Sequence, residues 1–330
     1  MILLAGALLA LWPSTASAAF PGKNGPIAFT ALHSTAEQCP GGGSPSYDTA
    51  ADEGIFTMNP DGSDATQVSS QHRPLMCDYP IEYYFDDDPS YSPSGKRFAF
   101  TLAHHAYANN ADDLNLYPYV AVMGVDGSNR QVLSELDNSD PAFSPNGKKI
   151  VFDDRAKIAV MSSKGRHERI LTTREGIRAE YGFEPSFFPS GARIVYVSGE
   201  VRRPWRSSIS TIRLDRSHRR RLTTGNRSAN FNSPDVSPNG RRIVFGRGTG
   251  IYVMRSDGTH KHRLADGSDP VFSPNGKRIA FSRTSGEQSE VIVMRSNGSD
   301  QHAVIPNPLP FGVSDPSELG LSQPSWGPQP

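Results

Sequence analysis

The stretch Asp88-Pro-Ser-Tyr-Ser-Pro-Ser-Gly-Lys-Arg-Phe-Ala-Phe100 decides the fold, because close copies of it recur along the chain. Four further copies cover residues 140–152, 184–196, 233–245 and 269–281. The Pro-x-Gly centre of each copy is typical of a tight turn, since proline fixes φ and glycine accepts a positive φ. The second half of each copy is a short β-rich run. We therefore expect five equivalent strand–turn–strand units.

A second motif follows the first and occurs six times. Its copies begin at Ile55, Val120, Ile158, Ile209, Ile251 and Val291, and the first reads Ile-Phe-Thr-Met-Asn-Pro-Asp-Gly. The sixth copy of the first motif is split, with one half at Asn24–Phe29 and the other at Gln323–Trp326. Six radial units of four short antiparallel strands form a six-bladed β-propeller with only short edges. We predict an all-β ring that is closed by pairing of the N- and C-terminal strands in one blade.

These two motifs resemble the propeller repeats of the TolB family, which are WD-like β-propeller repeats. The resemblance covers nearly all of residues 20–330. It implies a six-bladed ring, an extracytoplasmic location and a protein-binding role. Family members with the full Tol envelope role are expected to have an α/β domain before the propeller. In this sequence the propeller begins directly after the N-terminal apolar segment. The resemblance therefore implies a TolB-like propeller without that α/β domain, and it leaves a role in the Tol machinery open.

Residues 1–18 are predicted to be a signal peptide. Ile2–Trp12 is almost wholly apolar, and Ala-Ser-Ala at residues 16–18 offers small side chains for cleavage. The eleven apolar residues are too few to span a bilayer, which needs about 20. We expect a single propeller over residues 19–330 that is secreted or periplasmic and has no transmembrane anchor.

Charge and motifs exclude several classes of function. The formal net charge is zero, so the global charge does not indicate nucleic acid as a partner. The sequence has no Gly-x-Ser-x-Gly elbow and no phosphate-binding glycine loop. We predict a non-enzymatic scaffold that needs no cofactor, although a divalent cation could bind at the channel mouth. A metal-assisted hydrolase or lyase at the mouth, and a structural surface protein with no discrete site, stay open as alternatives.

The extra residues of the longer units are predicted to lie on one face of the ring. In an up-and-down blade with strands A to D, the Pro-x-Gly turns (A to B) and the Asp-Gly turns (C to D) share a face. The insertions fall between the other strands, at residues 31–54, 69–87, 102–118 and 199–207. Insertions on one face of a repeat fold commonly mark the binding face.

The insertions of the first two blades are rich in aromatic residues and histidines. Such side chains are typical of protein-binding surfaces. The alternative is that they pack over their own blades. The candidates for loop-face binding are Tyr79, Tyr83, Tyr84, Phe85, His104, His105 and Tyr107.

The residue before each inner-strand proline is expected to line the mouth of the channel. These positions hold Asp88, Asp140, Glu184, Ser233, Asp269 and Gln323. Four carboxylates around one axis would attract a cation or a basic peptide segment. The alternative is that each carboxylate caps its own turn, as aspartate often does. We predict that the four acidic residues of this set bind a protein or peptide partner in the cell envelope or the extracellular space.

A disulfide between Cys39 and Cys77 is predicted, because both cysteines fall in neighbouring insertions of one blade and an oxidising compartment favours pairing. The bond would close a loop of ~40 residues and stabilise the fold by about 3–4 kcal/mol. We expect no added alkyl group when the unreduced, unfolded protein is alkylated and weighed. Two added groups would show that both thiols are free.

Overall fold

The computed structural model describes residues 20–34, 51–73, 81–107, 114–172, 180–200, 203–225, 230–285 and 288–329. The predicted signal peptide lies outside the described residues, and so do Cys39, Cys77 and Tyr79. The cleavage site and the disulfide therefore stay predictions.

The described chain is built of short strands. The strands up to residue 132 are β1 Asn24–Ser34, β2 Ala51–Met58, β3 Thr66–Gln67, β4 Gln71–Arg73, β5 Ile81–Tyr91, β6 Arg97–Tyr107, β7 Leu114–Gly124 and β8 Gln131–Val132. Those up to residue 221 are β9 Asn138–Phe143, β10 Lys149–Asp154, β11 Lys157–Ser162, β12 Arg169–Ile170, β13 Glu180–Phe187, β14 Arg193–Glu200, β15 Arg203–Arg213 and β16 Arg220–Arg221. The rest are β17 Phe231–Val236, β18 Arg242–Arg247, β19 Gly250–Arg255, β20 His262–Asp266, β21 Ser268–Phe272, β22 Arg278–Ser285, β23 Gln288–Arg295, β24 His302–Ala303 and β25 Leu319–Pro328. Two 3-10 turns, Pro310–Gly312 and Pro316–Glu318, precede the last strand.

The strands pair in antiparallel units of four. Four separate sheets are formed by β5–β8, β9–β12, β13–β16 and β17–β20. A nine-stranded sheet holds two more such units, β25-β1-β2-β3 and β21-β22-β23-β24, with β4 added beside β2. One parallel bridge between Ser289 and Gly320 joins these two units. We number the units as blades 1 to 6, and blade 1 is the one that contains β25 and β1.

The innermost strands of the units form a closed ring. Strand β25 contacts β5, and the contacts continue through β9, β13, β17 and β21 back to β25. Closure depends on antiparallel pairing of β1 with β25, in which Asn24 faces Pro328 and Ile27 faces Trp326. The predicted all-β propeller and its closure by the two terminal strands are confirmed.

The middle strands are apolar on both sides because each blade is covered by a neighbour on both sides. In β10, Ile150, Val151 and Phe152 are all fully buried. They belong to an apolar cluster that includes Val120 of blade 2 and Ile194 of blade 4. Full burial of such a side chain stabilises by roughly 1.5–3 kcal/mol. The core is therefore a series of layers between blades rather than one central mass.

The Pro-x-Gly turns have the geometry that the sequence predicts. Gly147 has a φ of +68°, and its backbone N–H donates to the carbonyl of Ser144 at 2.8 Å. The hydroxyl of Ser144 also accepts a hydrogen bond from the backbone N–H of Lys149 at 2.9 Å. A side chain at Gly147 would meet Pro93, which belongs to the equivalent turn of the preceding blade. The repeated glycine is therefore required by the positive φ of the turn.

Two of the predicted insertions form paired strands rather than loops over part of their length. In blade 2, β6 and β7 stay paired from Leu102 opposite Tyr119 out to Tyr107 opposite Leu114. In blade 4, the pairing of β14 with β15 continues to Glu200 opposite Arg203. The hairpins of blades 2 and 4 therefore continue as paired strands into the insertions. Among the described residues, no helix is both long and apolar enough for a membrane crossing.

Trp326 offers a test of ring closure. Its side chain is fully buried, and its indole Nε1 donates to the carbonyl of Gly25 at 3.0 Å. We expect Trp326→Ala to lower the free energy of unfolding by about 3–5 kcal/mol, because it leaves a large cavity at the closing pair. Urea denaturation followed by circular dichroism measures this. Ile305→Ala is the matched control, because Ile305 is exposed. An equal effect of the two changes would contradict the role of Trp326.

Candidate functional site

The inner strand of every blade is distorted at the residue before its proline. The strand pairing shifts register there, for example between Asp87 and Ser90 in blade 2. Such a β-bulge bends the strand and re-aims a side chain. The six residues at this position all have positive φ, between 46° and 56°; they are Asp88, Asp140, Glu184, Ser233, Asp269 and Gln323. The structure therefore gives the six predicted mouth residues one shared and unusual backbone conformation.

The mouth side chains of blades 3 to 6 are joined by hydrogen bonds that run around the channel. The carboxylate of Asp140 accepts from the backbone N–H of Glu184. The Oε2 atom of Glu184 accepts in turn from the backbone N–H of Ser233. The hydroxyl of Ser233 donates to Oδ1 of Asp269 at 3.1 Å. These bonds link neighbouring blades, whereas the alternative reading expects each carboxylate to cap its own turn.

Blade 2 is linked to this series of hydrogen bonds through a hydroxyl group. Thr101 Oγ1 donates to Oδ2 of Asp88 at 3.3 Å and accepts from the backbone N–H of Asp140 at 3.2 Å. Ser282 has the corresponding position in blade 6 and accepts from the backbone N–H of Gln323 at 3.1 Å. The mouth is therefore held by polar contacts from strands A and B of the blades.

Burial changes the charge that the mouth carries. Asp88, Asp140 and Glu184 are only 5%, 4% and 1% exposed. Loss of hydration raises the pKa of Asp88 and of Glu184 well above the ordinary carboxyl range, and repulsion from the neighbouring carboxylates raises both further. Burial is also the main cause that raises the pKa of Asp140, to about 7. Some carboxyl groups of the mouth are therefore neutral carboxylic acids. The negative charge of the mouth is smaller than the count of its acidic residues indicates.

Two side-chain oxygen atoms at the mouth are left unsatisfied within the described part of the chain. Asp88 Oδ1 and Gln323 Oε1 are buried and have no hydrogen-bond partner among the described residues. Leaving such a group unsatisfied costs about 1–3 kcal/mol. A ligand that donates hydrogen bonds would recover this free energy. Within the part of the chain that the structure describes, no group of three or more His, Cys, Asp or Glu is arranged to hold a metal ion.

The aromatic residues predicted on the loop face lie instead on strands β5 and β6 of blade 2. Tyr84 stacks on His104 with ring centroids 4.4 Å apart, and Tyr117 lies 5.7 Å from the same imidazole. Tyr84 is 43% exposed, so this row is accessible. Of the other candidates, Tyr107 ends β6 opposite Leu114.

The opposite side of the same hairpin carries a buried row. Tyr83 and His105 are buried, and the Tyr83 hydroxyl lies 3.1 Å from Nδ1 of His105. The ring of Phe85 lies 4.7 Å from the same imidazole. The described candidates therefore lie on both faces of a β-hairpin, because strand alternation sends neighbouring side chains to opposite faces. Their role in binding stays a prediction.

A cavity of about 770 Å³ opens beside the mouth, over blade 5. Its lining includes Tyr181, Phe183, Phe231, Asp266 and Arg283 together with the mouth residues Glu184 and Asp269. The cavity forms because blade 5 turns from β18 to β19 through two residues, whereas the corresponding hairpins of blades 4 and 6 reach further out.

This cavity is not predicted from the sequence. A signal for it exists in the spacing of the turn glycines, because Gly240 and Gly276 are 36 residues apart and the other spacings between successive turns are longer. The short repeat unit predicts a blade with short hairpins. It does not indicate which neighbouring side chains surround the resulting space.

Comparison with known proteins identifies the family. The family model of the TolB beta propeller domain matches residues 55–329. The chain belongs to the TolB beta propeller domain family. No curated protein matches it in sequence. The family resemblance stated from the repeat motifs is thus confirmed.

Solved structures share the fold of this TolB beta propeller. TolB from Acinetobacter baumannii is 18% identical, with a TM-score of 0.62, over 94% of this chain and 68% of that one. Hydrazine synthase from Kuenenia stuttgartiensis is 14% identical, with a TM-score of 0.62, over 94% and 48%. A chain of the nidogen/laminin complex is 12% identical, with a TM-score of 0.56, over 91% and 98%. At these identities the likeness shows the fold alone, and the function has to be argued from the site.

The raised pKa of Asp140 predicts how the stability of this TolB beta propeller depends on pH. The folded state holds the proton up to about pH 7, whereas the unfolded state releases it near 3.8. The stabilisation is therefore complete below pH 3.8 and is lost as the pH rises through about 7. We expect Asp140→Asn, which mimics the protonated acid, to be more stable than the wild type at pH 8 by roughly 4 kcal/mol. The two proteins should converge near pH 4.

Thermal unfolding between pH 4 and pH 8 measures the effect. Asp257→Asn is the control, because Asp257 is exposed and its pKa is lowered by hydrogen bonds from Thr259. Its contribution has the opposite sign: it is present above the ordinary carboxyl pKa and lost as the pH falls. Equal pH profiles for Asp140→Asn and the wild type would show that Asp140 has the same pKa in the folded and unfolded states.

Proposed function

We propose that this TolB beta propeller is a protein-binding scaffold that works outside the cytoplasm. One observation supports this proposal most: the mouth presents six polar residues in one shared conformation, with two buried side-chain oxygen atoms that have no hydrogen-bond partner among the described residues. Backbone N–H groups and basic side chains of a peptide segment are donors of the required kind. The mouth would therefore bind a partner segment that enters along the axis of the channel.

The surroundings of the mouth support a protein rather than a small solute as the partner. The hairpins of blades 2 and 4 extend beyond the ring on the mouth side. The exposed row of Tyr84, His104 and Tyr117 adds an aromatic surface on blade 2. Aromatic side chains dominate the energetics of many protein interfaces. The same fold occurs in a chain of the nidogen/laminin complex, which is an assembly of proteins.

The proposal makes the acidic side chains essential for binding. We expect a variant carrying Asp88→Asn, Asp140→Asn, Glu184→Gln and Asp269→Asn to capture about tenfold less of its partner than the wild type. The reason is the loss of at least one charge-assisted hydrogen bond at the mouth, which is worth roughly 1.5–3 kcal/mol. The three buried acids contribute less charge because their pKa values are raised. The measurement is a crosslinking pull-down from the native envelope fraction, with quantitative mass spectrometry of the captured proteins.

A control variant removes four carboxylates from the opposite face. Asp61, Asp126, Asp215 and Asp257 are exposed turn residues, and each accepts hydrogen bonds within its own turn. Their joint replacement by asparagine changes the net charge as much as the mouth variant does. An equal loss of partner capture in both variants would show that the change in net charge alone explains the effect. Capture of no specific protein by the wild type would contradict the scaffold proposal and favour metal analysis and substrate screening.

A further inference from the structure

The cavity over blade 5 differs in chemistry from the mouth beside it. One wall is aromatic: Tyr181 and Phe183 stack with ring centroids 6.1 Å apart, and Phe231 adds a third ring. Its volume of about 770 Å³ falls in the range of small-ligand sites, which is roughly 300–1,000 Å³. The space therefore suits a ligand with an apolar or aromatic body.

The polar side of the cavity is acidic. Asp269 is only partly buried, and its two carboxylate oxygens accept from Ser233 Oγ at 3.1 Å and Ser268 Oγ at 2.8 Å. Glu184 lies deeper and is almost fully buried. Asp266 stands at the rim. Three carboxyl groups thus line one cavity, one each from blades 4, 5 and 6.

A single cationic side chain stands among the described residues that line the cavity. It is Arg283, whose Nη2 donates to Oε1 of Gln301 at 2.5 Å and whose Nε donates to the carbonyl of Asp266 at 3.4 Å. The guanidinium is therefore directed to the outer strand of blade 6. The carboxylate of Asp266 pairs with Arg263, so Asp269 and Glu184 form the acidic side of the cavity.

We propose that this cavity binds an organic cation: a primary amine or guanidinium group carried on an aromatic or apolar body. The cationic group would bind at Asp269 with Glu184 behind it, and the body would lie against Tyr181, Phe183 and Phe231. Aromatic faces attract cations, and carboxylates supply charge-assisted hydrogen bonds. The inference goes beyond the proposed function, because this site needs no protein partner.

Titration calorimetry on the purified protein tests the charge requirement. The probes are phenethylamine, its neutral analogue 2-phenylethanol and the anion 3-phenylpropionate. We expect the amine to bind and the alcohol to bind about tenfold more weakly, because a hydrogen bond to a charged group is worth roughly 1.5–3 kcal/mol. The anion should give no measurable heat. Equal affinity for amine and alcohol would overturn the proposal, and so would the absence of amine binding at millimolar concentration.

Matched variants locate the site. Asp269→Asn should weaken amine binding about tenfold, and asparagine tolerates the positive φ of this position. Asp257→Asn is the control, because it makes the same chemical change at an exposed turn residue that does not line the cavity. Tyr181→Leu should weaken amine binding several-fold through loss of the aromatic wall. Thermal unfolding of each variant verifies that it is folded.

The amine can come from a free small molecule or from the side chain of a peptide, and a further probe separates the two sources. The blocked dipeptide acetyl-Phe-Lys-amide presents the same cation next to an aromatic ring. Preference for phenethylamine assigns the site to free amines, and preference for the dipeptide assigns it to peptides; both support the proposal if Asp269→Asn weakens binding. Equal binding losses in Asp269→Asn and Asp257→Asn would overturn it. Partner capture from the envelope fraction is measured separately, so failure of one proposal leaves the other testable.

Discussion

The pairing of β25 with β1 is the contact on which the ring depends. Without it, blades 1 and 6 would each end in an uncovered apolar surface, and the layered core would lose one of its interfaces. The same pairing completes the site, because β25 carries Gln323, one of the six mouth residues. The mouth therefore forms only when the last strand has joined the first blade. The same strand pairing thus stabilises the ring and assembles the mouth.

The bulge before each inner-strand proline is the second constraint. It holds a non-glycine residue at positive φ, which is an uncommon conformation with a conformational cost. Ser233 and Gln323 adopt it as well as the acids do, so the fold does not require a negative charge at this position. Four carboxylates in six places, three of them almost fully buried, therefore exceed what the backbone needs. That excess is the physical reason to assign the mouth a binding role.

The sequence predicts the repeated architecture well because each unit carries its own turn chemistry. Gly147 and its counterparts mark the turns, and the split sixth copy predicts the closing strand pair. It predicts the hairpin of blade 2 less well, because the alternation of Tyr83 and Tyr84 is hidden in a segment that has the composition of a loop. The cavity depends on the relative reach of hairpins from three blades. The protonation of Asp140 depends on burial, which composition does not give.

The two proposed sites share Glu184 and Asp269, and this has a thermodynamic consequence. A cation bound at Asp269 offsets the charge that a basic partner segment would meet at the mouth. Coupling between two sites is reciprocal, so a partner at the mouth must weaken amine binding by the same factor. The polar contacts that join Glu184, Ser233 and Asp269 give this coupling a contiguous route across blades 4 to 6. Two neutral residues at these positions would abolish the coupling while keeping the bulges, as Ser233 and Gln323 show.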